Sequence, residues 1–179
     1  MTITFKRAAP ADAEALTAVQ TRTFDDDSRR HGRGEHGGPP GYDSVEWNLD
    51  IMKRSAYYKI LDGERIIGGL FVFSLKDGRC ELGRIYIDPD YQNQGIGAQA
   101  LAFVERTFPA RRWTLDTPVW ATRNQHFYEK HGYVKIGEQR LYGEAFPLVL
   151  YEKVMPGGLF NAEGRATPLR VEVGHGVKL

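Results

Sequence analysis

The sequence predicts an α/β (α+β) fold: a mostly antiparallel, twisted sheet with helices layered on both faces. Three observations lead there. An alternating segment near the start is followed by two helix-like stretches. Three strand-like runs then follow one another, separated by Asp-Gly turns. Two more helices alternate with the last three strands, giving the order βα(α)βββαβαββ. The 179 residues are 41% hydrophobic and 12% aromatic, enough to bury one core without disulfide or metal staples.

Each element has a local reason. Residues 3–7 alternate as a half-buried strand does. Asp12 is a capping residue, and Ala and Leu recur behind it at helical spacing, which predicts a helix over 12–24. Residues 25–42, DDDSRRHGRGEHGGPPGY, are rich in Gly, Pro, Asp and Arg and carry almost nothing apolar. They are expected to be a mobile loop, unusually long for a compact domain and so suspected of a function. Asp43 and Ser44 can cap a short helix toward Met52. Strands are expected over 56–61, 65–74 and 80–87, with turns at Asp62-Gly63 and Asp77-Gly78 and a stop at Asp88-Pro89-Asp90. Gln94-Gly95-Ile96-Gly97 leads into a helix over 98–108, followed by a strand over 112–117. A short helix over 124–131 is closed by Gly132, and strands over 133–136 and 148–154 complete the domain. That domain is placed at 1–155, and 156–179 reads as an extension, either a tail or one extra edge strand.

Composition excludes several classes of function. Lys+Arg number 24 and Asp+Glu 23, a net charge of +1, which argues against a protein that grips nucleic-acid phosphates. One cysteine, Cys80, permits no intrachain disulfide and makes a Cys-based metal site implausible; it reads as a small buried hydrophobe. No stretch approaches the ~18 apolar residues of a membrane span, and the N-terminus carries no apolar signal region. A soluble, cytoplasmic protein without a membrane partner is the expectation.

The informative segment is Arg84-Ile85-Tyr86-Ile87-Asp88-Pro89-Asp90-Tyr91-Gln92-Asn93-Gln94-Gly95-Ile96-Gly97-Ala98. A strand ends, a polar loop turns, and two glycines precede a helix. The glycines let backbone approach a bulky anion, and the helix start offers unpaired N–H groups and a positive dipole to it. A pyrophosphate suits that chemistry. The third glycine of a dinucleotide fingerprint and the Gly-Lys-Ser/Thr of a nucleotide loop are both absent.

Gln92-x-x-Gly95-x-Gly97 after a strand and an Asp-Pro-Asp turn resembles the acetyl-CoA-binding motif of the GNAT superfamily, the Gcn5-related N-acetyltransferases. A second segment, Asn124 to Tyr133, is similar in loose form to that family's other signature, and the element order matches from Ile3 to Val154. The resemblance implies a GNAT-like layered fold with acetyl-CoA as co-substrate and no metal. It implies that the strand bearing Ile85, Tyr86 and Ile87 lends unpaired backbone groups to the pantetheine arm. The amides of Gln92, Asn93, Gln94, Gly95, Ile96, Gly97 and Ala98 would take the pyrophosphate, and Asn124 would steady the pantetheine. A homodimer is the family habit.

Attack of an amine on a thioester needs a neutral amine, a polarised carbonyl and a protonated leaving thiolate. Strand alternation groups Glu81 with Gly83, Ile85 and Ile87, and the family often places a general-base Glu there, so Glu81 is the candidate base. Tyr128 stands one helical turn after Asn124, on the same face, and is the candidate acid. His126 is a weaker candidate for the base. His31 and His36, near Asp25, Asp26 and Asp27, are metal-ligand types without a fixed scaffold. Asp116, Trp120 and Tyr151 are expected at strand ends near the acceptor's entry, and Trp120 and Tyr57 are candidates to wall an aromatic or cationic pocket. The expected activity is transfer of acetyl to a primary amine by direct attack in a ternary complex. The alternative is an acyl-CoA-binding sensor that keeps the loop without the chemistry. The acceptor itself is not legible.

Overall fold

The computed structural model describes residues 1–140 and 146–155; the extension over 156–179 lies outside the described residues. Seven strands form one sheet: β1 (Ile3–Arg7), β2 (Ala56–Asp62), β3 (Arg65–Ser74), β4 (Arg79–Ile87), β5 (Arg112–Pro118), β6 (Val134–Gln139) and β7 (Leu148–Val154). Their spatial order is β1-β2-β3-β4-β5-β7-β6. All neighbours are antiparallel except β4 and β5, which run parallel. The helices are α1 (Ala13–Arg30), α2 (Val45–Arg54), α3 (Ile96–Thr107) and α4 (Thr122–Lys130).

The helices cover both faces. On one, α3 and α4 bury Ile96, Ala100, Leu101, Val104 and Tyr128 against Leu70, Val72, Leu82, Trp113 and Leu115. On the other, α1 and α2 bring Leu16 and Ile51 against Tyr57, Phe71 and Tyr86. Both faces of the central strands are therefore removed from water, which is why β3 reads as a nearly continuous apolar run.

Helix α1 runs six residues past the end expected from its apolar spacing. Its last turns bury Asp25 and Ser28, polar residues that hydrophobic periodicity does not register. Asp26 pairs with Arg30 one turn on at 2.7 Å, and Arg29 and Arg30 suit the negative end of the helix dipole. Ser44 caps α2 as expected, its hydroxyl accepting from the Trp47 N–H at 3.1 Å.

Two departures from regular pairing build the site. β4 and β5 pair only where residues 79–81 meet 112–114, and then separate, leaving a wedge between the ends of the two strands. β4 also carries a bulge: Val72 lies opposite Leu82, but Phe71 lies opposite Arg84, so Gly83 is an extra residue. The bulge reverses the alternation. Glu81 therefore does not share a face with Ile85 and Ile87, as simple strand period predicts. It lies on the face of Arg84 and Tyr86, under α1 and α2, while Ile85 and Ile87 pack toward α3 and α4.

Candidate active site

The wedge opens into two chambers that meet. The first, of about 440 Å³, runs from Ile85, Tyr86 and Ile87 along the loop to the start of α3, with α4 opposite. The second, of about 490 Å³, lies between β4, the end of β5 and the segment that joins α1 to α2. Phe24, Asp27, Ile85, Asn124 and Tyr128 line both.

At the far end of the first chamber, the chain after β4 makes a short 3-10 turn at Pro89–Tyr91 and reaches Gly95, which is left-handed at φ +77°. No side chain caps α3, so the amides of its first turn have no partner within the helix. The loop is braced from outside: the Gln92 amide nitrogen donates to the Ile87 carbonyl at 3.0 Å, and Arg123 donates to Asn93 Oδ1 at 2.7 Å. Asn93 takes a positive φ of 61°, a conformation Asn tolerates. Ordered, uncapped amides at a helix start with Arg123 and Lys130 on the wall make a cradle for a diphosphate.

Gln92, Asn93, Gly95, Ile96, Gly97 and Ala98 all line this chamber, while Gln94 turns its side chain back to the Asp90 carbonyl at 3.1 Å. Tyr86 contributes backbone, because its ring is buried on the opposite face with its hydroxyl 2.9 Å from that of Tyr57. Beyond Glu81, no described strand pairs with the β5 side of β4. Its backbone is therefore available to an extended ligand arm.

Asn124 and Tyr128 sit on one face of α4 at the junction, as their spacing requires. Tyr128 is buried, and burial, then the negative charge of Asp116, raise its pKa well above that of a free phenol. It keeps its proton at neutral pH. Asp116 lines the second chamber. Glu81 is half-buried and lines neither chamber; burial, then the charge of Asp116, raise its pKa above the usual carboxylate range. Glu81 forms no ion pair with Arg79 or Arg84 within 4.0 Å.

Other candidates fall elsewhere. His126 is exposed and lines neither chamber. Tyr57 and Tyr151 are core residues: Tyr57 donates to Asn48 Oδ1 at 2.8 Å and Tyr151 to Glu129 at 2.8 Å. Trp120 does wall the second chamber. Cys80 is buried with a raised thiol pKa, away from both chambers. Among the described residues no cluster of three or more His, Cys, Asp or Glu is placed to hold a metal ion.

The loop expected to be mobile is instead tied to α1. The Asp25 carboxylate accepts from the Gly37 N–H at 3.1 Å and the Tyr42 hydroxyl at 2.9 Å, and lies 2.9 Å from His36 Nδ1. Burial works to raise the Asp25 pKa, but these hydrogen bonds outweigh it and hold the carboxyl below its ordinary value. His31 likewise bonds to the Asp27 carbonyl at 2.8 Å. A Gly-rich stretch cannot form a core of its own, but one buried carboxylate organises it through three donors.

Composition also concealed Arg84. Its guanidinium lies 4.5 Å from the Trp47 ring and 5.6 Å from those of Phe24 and Phe71. The bulge at Gly83 turns it toward the second chamber, and a Cβ at Gly83 would collide with Phe71 and Phe73. A single strand charge at this spacing carries no signal until the bulge is known.

Comparisons with known proteins agree with this layout. The model of the acetyltransferase (GNAT) family matches residues 20–133, well over half of the chain. Protein YrkN of Bacillus subtilis (strain 168) is 28% identical over 116 residues, 64% of this chain and 59% of that protein, so the match spans less than two thirds of the relative's length. A PaiA N-acetyltransferase from Thermoplasma acidophilum in complex with coenzyme A superimposes with a TM-score of 0.69 at 17% identity, over 87% of this chain and 100% of that one. The ribosomal-protein-S18-alanine N-acetyltransferase of Escherichia coli gives 0.68 at 16%, over 86% and 94%. A GNAT family acetyltransferase from Elizabethkingia anophelis with acetyl-CoA bound gives 0.60 at 18%, over 86% and 98%. These structural likenesses bear on the fold.

Proposed function

Because the chain belongs to the acetyltransferase (GNAT) family, we propose that it moves an acetyl group from acetyl-CoA to a primary amine by direct attack in a ternary complex. The observation that carries this reading is the junction of the two chambers at Ile85, Asn124 and Tyr128. One chamber suits a long diphosphate-bearing donor, the other a small acceptor, and a proton donor stands where they meet.

The amides from Gln92 to Ala98 hold the diphosphate, and the open edge of β4 takes the pantetheine as an added strand. Asn124 steadies the arm from α4. The acceptor's ammonium loses a proton toward Asp116, which lines its chamber, and onward to Glu81, whose raised pKa suits it to receive one. The amine nitrogen then bonds to the thioester carbon, and the carbon–sulfur bond breaks. Tyr128 gives its proton to the departing sulfur, and the proton that the acylated nitrogen sheds restores the phenol. The buried position of Cys80 supports direct attack, because no thiol stands at the junction to carry the acetyl group.

Tyr128→Phe tests the acid. The change removes one hydroxyl and keeps the ring contacts with Phe127 and Tyr133. The expected result is a fall in kcat of about 10-fold or more with little change in the Kd for acetyl-CoA by calorimetry. Full activity would remove the acid from this position. Tight acetyl-CoA binding by the wild-type protein with no turnover of any amine would support a sensor instead.

A further inference from the structure

The second chamber contains a cation, Arg84, that forms no ion pair within 4.0 Å with any described residue. We infer, on the acetyl-transfer reading above, that the acceptor is an amine that also carries an anionic group, a carboxylate of the amino-acid type, held by Arg84 with Arg33 at the chamber's mouth.

Arg84 is set in place by neutral partners. It donates to Gln20 Oε1 at 3.2 Å and to the Pro40 carbonyl at 3.2 Å. Gln20 is itself fully buried and fixed, its amide nitrogen 2.8 Å from the Tyr42 carbonyl. Three aromatic rings surround the guanidinium, and no carboxylate of a described residue lies within 4.0 Å of it. A guanidinium has five N–H donors, and these bonds occupy two. Burial lowers its pKa to about 10, so it is charged at neutral pH. Charges removed from water are ordinarily paired. An unpaired one on the wall of a cavity is a site for an anion, and the planar fork of Arg fits a carboxylate in two bonds.

The rest of the chamber extends the same polarity. Arg33 stacks on Trp120 at 4.9 Å and Phe146 at 4.5 Å, also with no described carboxylate within 4.0 Å. Trp120 Nε1 is buried without an acceptor among the described residues. The acidic groups of the wall are Asp27, shared with the first chamber, and Asp116, whose charge acts on Tyr128, Glu81 and Arg84 without pairing with Arg84 within 4.0 Å. The wall therefore carries both signs of charge: Asp27 borders the junction with the first chamber, where the amine must arrive, and Asp116, Arg84 and Arg33 line the second chamber alone. A ligand with an ammonium at one end and an anion at the other matches both signs. A polyamine or aminoglycoside would bring added positive charge to two guanidiniums and leave Arg84 unpaired in a drier site.

The volume, about 490 Å³, is of small-ligand size. Trp47, Phe24, Trp120 and Phe146 supply apolar walls for a side chain. A phosphonate offers Arg84 the same shared chemistry as a carboxylate, so the test includes both.

The experiment follows CoA release by the full-length protein at saturating acetyl-CoA, using matched acceptors. Each amino acid is compared with its methyl ester, with the amine lacking the carboxyl group, and with the corresponding aminoalkylphosphonate. The expected result is a kcat/KM for the best amino acid at least about 100-fold above its ester and its decarboxylated amine. If the phosphonate equals or exceeds the amino acid, the anion is confirmed and its identity is phosphonate-like. Arg84→Gln, with folding checked by circular dichroism and acetyl-CoA binding by calorimetry, is expected to collapse the acid-to-ester preference to within about 5-fold. Arg84→Lys keeps the charge without the fork and is expected to fall between the two. Turnover of amines with no preference for an anion, or best turnover of polyamines, overturns this inference and leaves acetyl transfer standing. No turnover of any amine overturns both.

Discussion

Gly97→Val is expected to weaken acetyl-CoA binding by about 100-fold or more while the protein keeps its circular dichroism spectrum. Gly97 stands in the first turn of α3 and lines the first chamber. A Cβ there would already stand 3.1 Å from the Phe127 ring and 3.8 Å from Ile87. The two methyls of valine would press on that ring or occupy the space in front of the uncapped amides. Overpacking of this kind costs ~1–3 kcal/mol, and displacement of the diphosphate from the amides adds to it. Gly95 is different in kind. A Cβ there meets nothing within 4 Å, and the requirement is its φ of +77°. Gly95→Ala should therefore act through loop geometry rather than collision. Unchanged calorimetric affinity in Gly97→Val would remove the phosphate-cradle assignment.

Glu81→Gln is expected to reduce kcat by about 10²–10⁴-fold, with a far smaller effect on the KM for acetyl-CoA. The base must be ionised to work, and burial, then Asp116, raise the Glu81 pKa. In the wild-type protein kcat should therefore rise with pH through that raised value, above the usual carboxylate range, and then level off. The variant should lose this limb and recover part of its rate at high pH, where amines deprotonate unaided. A near-normal rate in Glu81→Gln at neutral pH would return Glu81 to a structural role. Asp116, which lines the acceptor chamber, would then be the base.

The element order, the glycine-led turn into α3 and the shared face of Asn124 and Tyr128 were legible because each depends on local chemistry. Glycines before a helix, turn residues and helical spacing act over a few residues. The course of 25–30 was not legible, because α1 buries polar groups there and apolar periodicity falls silent. The order of 31–44 was not legible either, since it depends on Asp25 reaching residues 11 to 17 positions away in sequence. The facing of Glu81 was not legible for a third reason. A one-residue bulge at Gly83 inverts every side chain on one side of it, and nothing in the alternation of β4 marks it. The second chamber is lined by residues on both sides of that bulge, from Leu82 to Ile85, so its wall follows from a feature that the sequence pattern does not mark.

Direct transfer requires acetyl-CoA and the amine to occupy the two adjoining chambers together. It is tested by initial rates measured with acetyl-CoA and an amine both varied, with the acetylated amine quantified alongside free CoA. Intersecting double-reciprocal lines and one acetylated amine for each CoA released are expected. Parallel lines, the mark of an acetylated enzyme, or CoA release without acetylated amine would contradict it.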